Sequence, residues 1–312
     1  MLGVLQGFAT LALVVVVGWL LARLRVVGEE AQRVLSLVAF WVCSPALLLA
    51  VMQRTPLEQL LSTNLTISAL AVLLTGLVYL VVCRLVWPGA DRGTRLIGVL
   101  CALYVNAGNL GIPIALYVLG DVAWMAPVLL LQLLVITPLA MTFFDREVAS
   151  VRPSPWRSLA SLVRNPITLG AVAGLVLAVT RVRLPAVLAD PVTMLGNMAV
   201  PAMLLAFGIS LQVGPRAGSG GSFPHVATLV GLKIVVMPLI ALALGLSFGL
   251  GGVPLFAVVV TSALPTAQNI FTYAVRYDRA IPLARDAIFF STFGSLVVIL
   301  VLAAGFHAVG WV

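Results

Sequence analysis

Two short stretches carry most of the chemistry that this sequence offers. The first reads Tyr104-Val105-Asn106-Ala107-Gly108-Asn109-Leu110-Gly111-Ile112-Pro113, the second Thr261-Ser262-Ala263-Leu264-Pro265-Thr266-Ala267-Gln268-Asn269. Each sets side-chain amides beside a proline within an otherwise apolar run. Proline has no N–H, so Pro113 leaves the carbonyl of Asn109 without its helical donor, and Pro265 does the same to Thr261. Gly108 and Gly111 weaken the first helix further and allow backbone to approach closely. Two interrupted helices are expected, the second half of the first beginning near Pro113, where proline suits a first turn. Half-helices that begin inside a membrane present free N–H groups and a partial positive charge, which favours an anionic group such as a carboxylate. Asn106, Asn109, Gln268 and Asn269 can donate hydrogen bonds to it. Membrane helices also use proline, glycine and asparagine simply to pack on one another. The recurrence of the pattern at two corresponding places favours a binding site.

Lesser features surround these. Pro45 follows Ser44, and Asn197 precedes Pro201; kinks that help crossing helices pack are the expected reading. Lys233, the only lysine, is expected to snorkel to the interface. The other reading is that it neutralises an anion or a freed helix C-terminus inside the bundle. His225 and His307 fall at the ends of apolar runs, with no partners visible in sequence. The acids Asp121, Asp145, Glu147, Asp190, Asp278 and Asp286 are placed at ends or in loops, so coupling through a buried carboxylate is not expected. Sodium held by carbonyls and amides remains open; no metal site and no other cofactor is expected.

The elements that position these residues follow from composition. Of 312 residues, 62% are hydrophobic and 9% charged, which points to membrane spans. A hydrocarbon core about 30 Å thick needs about 20 helical residues. Ten runs fit: 4–22, 34–52, 65–86, 96–119, 122–144, 167–182, 191–213, 226–248, 254–275 and 287–309. The first is read as an uncleaved span, because its arginines, Arg23 and Arg25, come after it. Fourteen arginines fall on one side of this arrangement, whereas only Arg54, Arg181 and Arg183 fall on the other. The arginine-rich side is cytoplasmic and both termini are outside, in a bacterial inner membrane. The net charge of +8 thus reflects topology; no basic stripe with interleaved aromatics suggests nucleic acid. Cys43, Cys83 and Cys101 are read as buried free thiols.

The halves resemble each other. Pro45-Ala46-Leu47-Leu48-Leu49-Ala50 matches Pro201-Ala202-Met203-Leu204-Leu205-Ala206 at five of six positions, with an offset of 156. Ala107-Gly108-Asn109-Leu110 matches Ala267-Gln268-Asn269-Ile270 with an offset of 160. Five spans per half make the second half enter the membrane inverted, an arrangement found in secondary transporters. The expected fold is therefore all-α and integral to the membrane: ten helices as two inverted five-helix repeats, with helices 4 and 9 broken at prolines and crossing at mid-membrane. The repeats are 1–144 and 166–312, joined by a cytoplasmic linker, 145–165; a second flexible loop begins at Gly214. An enzyme would need a grouping of His, Asp, Glu or Cys within the spans, and a sensor would need a soluble output domain; the sequence shows neither.

The stretch Asn106 to Pro113, with its partner Pro265 to Asn269, resembles the auxin efflux carrier family, and the likeness covers nearly the whole chain. The short central loop looks like that of bacterial permeases assigned to malate or malonate. The resemblance implies alternating access around a crossover made by Pro113 and Pro265, with Asn109 and Asn269 contacting the substrate carboxylate and Asn106 in support. It implies a carrier of small organic anions, possible as a homodimer. The fold is shared with bile acid:sodium symporters, which keeps a sodium-coupled symporter as the alternative.

Overall fold

In lipid, backbone polar groups must be satisfied within the chain, and apolar runs of this length do so as helices. The computed structural model describes residues 2–54, 62–148, 166–213 and 222–311, and among these the regular structure is helical. Most of the central linker, from residue 149 onward, and the loop at 214–221 lie outside the described residues. Among the described residues five helices are long and apolar enough to cross a membrane: Glu29–Arg54, Thr63–Val86, Ala186–Val213, Phe223–Ser247 and Ile281–Ala308. Shorter apolar helices include Val122–Ile136, Pro166–Thr180 and Gly252–Ser262.

The chain forms two compact units, each drawn from both halves of the sequence. The first comprises Met1–Leu61, Gly108–Leu134 and Leu159–Pro215; the second comprises Ser62–Ala107, Val135–Ser158 and Arg216–Val312.

In the first unit, α1 (Leu2–Arg23), α2 (Glu29–Val38) and α3 (Ser44–Arg54) precede α4 and α5 of the second unit in the chain. Further along come α6 (Ile112–Val118), a 3₁₀ turn (Val122–Met125), α7 (Ala126–Leu131), α9 (Pro166–Thr180), α10 (Ala186–Asn197) and α11 (Ala199–Val213). Here α1 packs on α11, and α3 packs on both α9 and α10. The contacts are close because small residues sit at the crossings. A Cβ at Gly208 would run into the carbonyl oxygen of Val15, and one at Gly170 into that of Pro45.

The second unit contains α4 (Thr63–Val86), α5 (Arg92–Leu103), α8 (Thr137–Val148), α12 (Phe223–Gly231), α13 (Met237–Ser247), α14 (Gly252–Ser262), α15 (Asn269–Tyr277) and α16 (Ile281–Ala308). α13 packs on α4 and α14, and α16 on α12 and α15. α4 shows how such a helix divides its faces. It buries Ala71, Thr75, Tyr79 and Cys83 at every fourth position and exposes Leu73, Leu77, Val81 and Leu85 on the other side. An exposed row of leucine and valine suits a hydrocarbon surround rather than water. All three cysteines are buried and free.

Among the described residues four π turns interrupt the helices: Ala39–Cys43, Ala107–Gly111, Gln132–Ile136 and Leu232–Val236. Each ends two residues before a proline, namely Pro45, Pro113, Pro138 and Pro238. The carbonyl four residues before each proline, which would lose its donor in an α-helix, falls at the centre of the turn. Before Pro45 the Ser44 N–H reaches back to the Ala39 carbonyl, and before Pro238 the Met237 N–H reaches the Leu232 carbonyl, one residue further than in an α-helix. The prolines at 45 and 113 were expected to kink or break their helices through a lost hydrogen bond; a π turn precedes each. The expected irregularity near Asn197 and Pro201 takes another form, a turn at Met198 between α10 and α11.

Candidate substrate site

The interruption in the fourth run falls earlier than proline placement suggested. α5 ends at Leu103, and Tyr104, Val105 and Asn106 leave the helix before the π turn begins at Ala107. Pro113 sits in the first turn of α6, where its missing N–H costs nothing. In the ninth run α14 ends at Ser262 and α15 starts at Asn269, with Pro265 inside the unwound stretch as expected.

The two unwound stretches meet inside the second unit. Val105 and Thr266 form an isolated antiparallel bridge. The Asn106 N–H donates to the Pro265 carbonyl at 2.8 Å, and the Ala267 N–H donates to the Tyr104 carbonyl at 3.1 Å. Side chains complete the backbone bonding that helix would otherwise supply. The Thr266 hydroxyl donates to the Cys101 carbonyl at 2.7 Å, and the Thr266 N–H donates to Ser291 Oγ at 3.1 Å. Thr261, whose carbonyl was expected to be freed, turns its hydroxyl back to the Val258 carbonyl at 3.0 Å.

The amides are distributed around this pairing. Asn106 is buried at the bridge, Gln268 is exposed, and Asn269 is half-buried at the start of α15. Asn269 Nδ2 donates to the Tyr273 hydroxyl at 3.4 Å. Asn109 lies in the π turn with Gly108 and Gly111, but its side chain is outside the described residues. Tyr104, whose hydroxyl shares a 2.9 Å hydrogen bond with Thr137, and Ser291 belong to the same cluster. Neither was singled out from sequence. Tyr104 opens the amide-rich stretch, so its position was a usable signal; Ser291 is one of several hydroxyls in a long apolar helix and gave none.

Lys233 corrects one expectation. It does not snorkel: the side chain is 0% exposed, and Nζ donates to the carbonyl of Ser262, the last residue of α14, at 3.1 Å. Met237 Sδ lies at the same distance. A donor on the final carbonyl of a helix satisfies an acceptor that the helix itself leaves unpaired. Asp286 corrects another. Placed at a span end by sequence, it is 2% exposed inside α16, where Arg285 Nε donates to Oδ1 at 2.8 Å. His225, unpartnered in sequence, shares a 3.0 Å hydrogen bond with the Tyr79 hydroxyl and stacks on Trp87.

Among the described residues no three His, Cys, Asp or Glu side chains gather as a metal site would require. The arrangement presents side-chain amides and helix ends around paired backbone.

A family described as membrane transport protein matches residues 4–303. A protein of Rhizobium meliloti (strain 1021) named "Putative malonate transporter" is 24% identical over 283 residues, which cover 83% of this chain and 82% of that protein. An "Uncharacterized transporter" of Methanothermobacter thermautotrophicus is 23% identical over 312 residues, covering 95% of this chain and 96% of its own. "Auxin efflux carrier component 1" of Arabidopsis thaliana is 24% identical over 127 residues, 39% of this chain and 20% of the plant protein. The match along nearly the whole chain, together with the apolar helices, shows that the protein belongs to the membrane transport protein family, that of the auxin efflux carriers.

Proposed function

We propose that this membrane transporter is a permease for small organic anions, mono- or dicarboxylates or auxin-like acids, and that its substrate is held where the segments 104–106 and 265–267 pair. That pairing is the observation that carries the proposal. It brings Asn106 and the Gln268–Asn269 amides to two helix interruptions within one unit, and α15 starts there with the positive end of its dipole. Asn109, three residues beyond Asn106, completes the proposed amide set. Lys233 occupies the Ser262 carbonyl, so the negative end of α14 does not oppose an anion. The malonate named for the Rhizobium meliloti relative supports a dicarboxylate as the first substrate to try.

In this proposal the spans number ten, arranged as inverted repeats 1–144 and 166–312 around the cytoplasmic linker. The protein sits in the bacterial inner membrane with its termini outside and exposes the site alternately to the two sides. The membrane potential, negative inside, then favours anion export.

A binding screen on purified protein tests it: malonate, malate and indole-3-acetate, each in sodium and in potassium. The expected result is a carboxylate that raises the melting temperature of the wild type but not of Asn269→Ala or Asn109→Ala, equally in both salts. A ligand that stabilises only in sodium would replace the permease reading by the sodium-coupled one. Binding unchanged by both substitutions would overturn the site.

A further inference from the structure

A pocket of about 340 Å³ lies wholly within the first unit, away in the chain from the paired segments. Three pieces of structure build it. α3 contributes its last turn, ending at Arg54, and α10 contributes its last turn, with Thr193 and Asn197. The connection from α6 to the 3₁₀ turn contributes Asp121. Gly196 lets α10 lie on α3, since a Cβ there would come 3.0 Å from the Leu47 backbone. Gly120 turns the chain with φ 78°, a conformation that favours glycine, and delivers Asp121 to the rim. The Asp121 N–H donates to the Ala115 carbonyl at 3.1 Å, and Oδ1 accepts from the Ala123 N–H at 2.8 Å. The carboxylate is therefore held in place with its second oxygen uncommitted by these bonds.

Charge decides what fits. Arg54 and Asp121 line the same pocket, and neither has an ion-pair partner among the described residues, including each other. A guanidinium takes a carboxylate through two parallel hydrogen bonds. A carboxylate oxygen takes an ammonium. A simple anion would bring its charge beside Asp121, and a simple cation beside Arg54; a zwitterion meets both. The Asn197 amide can donate or accept, and the Thr193 hydroxyl, which donates to the Ala189 carbonyl, keeps its lone pairs for a further donor. Leu47 and Val122 give an apolar wall for a short side chain. The volume is at the lower end of the range of about 300–1,000 Å³ for small-molecule sites.

We propose that this pocket is a second ligand site that binds a small zwitterion of the α-amino acid class, carboxylate on Arg54 and ammonium on Asp121. The proposal stands independently of the anion site, because the two rest on different residues. By the arginine distribution Arg54 is on the outer side, so the ligand arrives from outside the cell.

The test is calorimetric binding and thermal shift on the purified full chain, with alanine, leucine and serine as probes and acetate and ethylammonium as single-charge controls. At least one amino acid is expected to bind while neither control does at the same concentration. Arg54→Gln and Asp121→Asn should each weaken that binding by roughly tenfold or more, as loss of a charged hydrogen bond does. Asn269→Ala should leave it unchanged. Asparagine still caps the Ala123 N–H, so Asp121→Asn keeps the turn, and an unliganded melting temperature equal to wild type checks both variants. Three results overturn the assignment: no amino acid binds, acetate binds as well as the amino acids, or binding survives both pocket variants. If it survives those but is lost in Asn269→Ala, the amino acid is a ligand of the other site.

Discussion

A Cβ added at Gly208 in the first unit would strike the Val15 carbonyl oxygen, whereas one at Gly294 in the second would meet only the terminal methyl of Ile234. The buried polar groups divide in the same direction. Among the described residues Ser44, Gln132 and Thr168 are buried in the first unit, while Asn64, Thr75, Asn106, His225, Lys233, Thr266, Asp286 and Ser291 are among those buried in the second. One unit is held by backbone lying against backbone and has little to rearrange. The other is held by side chains whose polar atoms bond across helices, and it contains the paired segments. Lipid offers no hydrophobic push between helices, so close contact and polar bonding are the two available means of holding them. The two units lean on different ones.

The largest test of that contrast is Gly208→Leu. Overpacking against backbone that cannot yield should cost about 3 kcal/mol or more and abolish a monodisperse peak in detergent. Gly294→Ala should cost under about 1 kcal/mol, because the Ile234 methyl can move aside. Equal losses of melting temperature would dissolve the distinction. Next in size is Thr266→Val, which keeps shape but strips the Cys101 carbonyl of its donor. About 1–3 kcal/mol of stability should go, together with carboxylate binding. Lys233→Met should change stability by no more than about 1 kcal/mol, since removing a buried amine relieves desolvation as it removes a hydrogen bond. Carboxylate affinity, measured by titration, should fall roughly tenfold as the end of α14 loses its donor. An unchanged affinity would reduce Lys233 to packing.

The smallest effect concerns Asp91, which caps α5 outside the spans. Its side chain accepts from the Thr94 N–H at 2.8 Å, and that backbone hydrogen bond holds the carboxyl below its usual range. The folded value lies below the unfolded one. The stabilisation is therefore fully present above the unfolded pKa of about 4 and lost as pH falls through the folded value. Asp91 is largely exposed, so the gain is under about 1 kcal/mol. Melting curves from pH 7 to 3 should show the wild type losing stability relative to Asp91→Asn only in the acid limb.

How much of this could be read from the residues varied with the range of the interaction. The apolar runs and the amide–proline stretches are local signals, and they located the helices and the unwound segment at Pro265. The interruption at Tyr104–Asn106 was misplaced towards Pro113 because it is fixed by a bond from Asn106 to Pro265, far along the chain. Nothing beside Asn106 announces that partner. His225 likewise finds Tyr79 at a separation of 146 residues. Lys233 was expected to reach the interface by its distance from the end of an apolar run. Its direction is set by the helix phase, which the wide turn at Leu232–Val236 alters. The pocket of Arg54 and Asp121 was not foreseen, because its walls come from three separate runs.

Each wide turn before a proline holds one residue more than an α-helix would use over the same rise. One residue corresponds to about 100° of rotation. Residues before and after such a turn therefore count faces from different origins, and the inward-looking stripe of Phe223–Gly231 does not continue in step into Met237–Ser247. Deleting a single residue between 232 and 236 would bring the two into step. The rest of that helix would keep its buried face in place, because the turn would lose only the residue it holds in excess. The turns before Pro45, Pro113, Pro138 and Pro238 thus act as expansion joints: each takes up a surplus residue on the spot, whereas the same change in length within regular helix would turn everything that follows by about 100°.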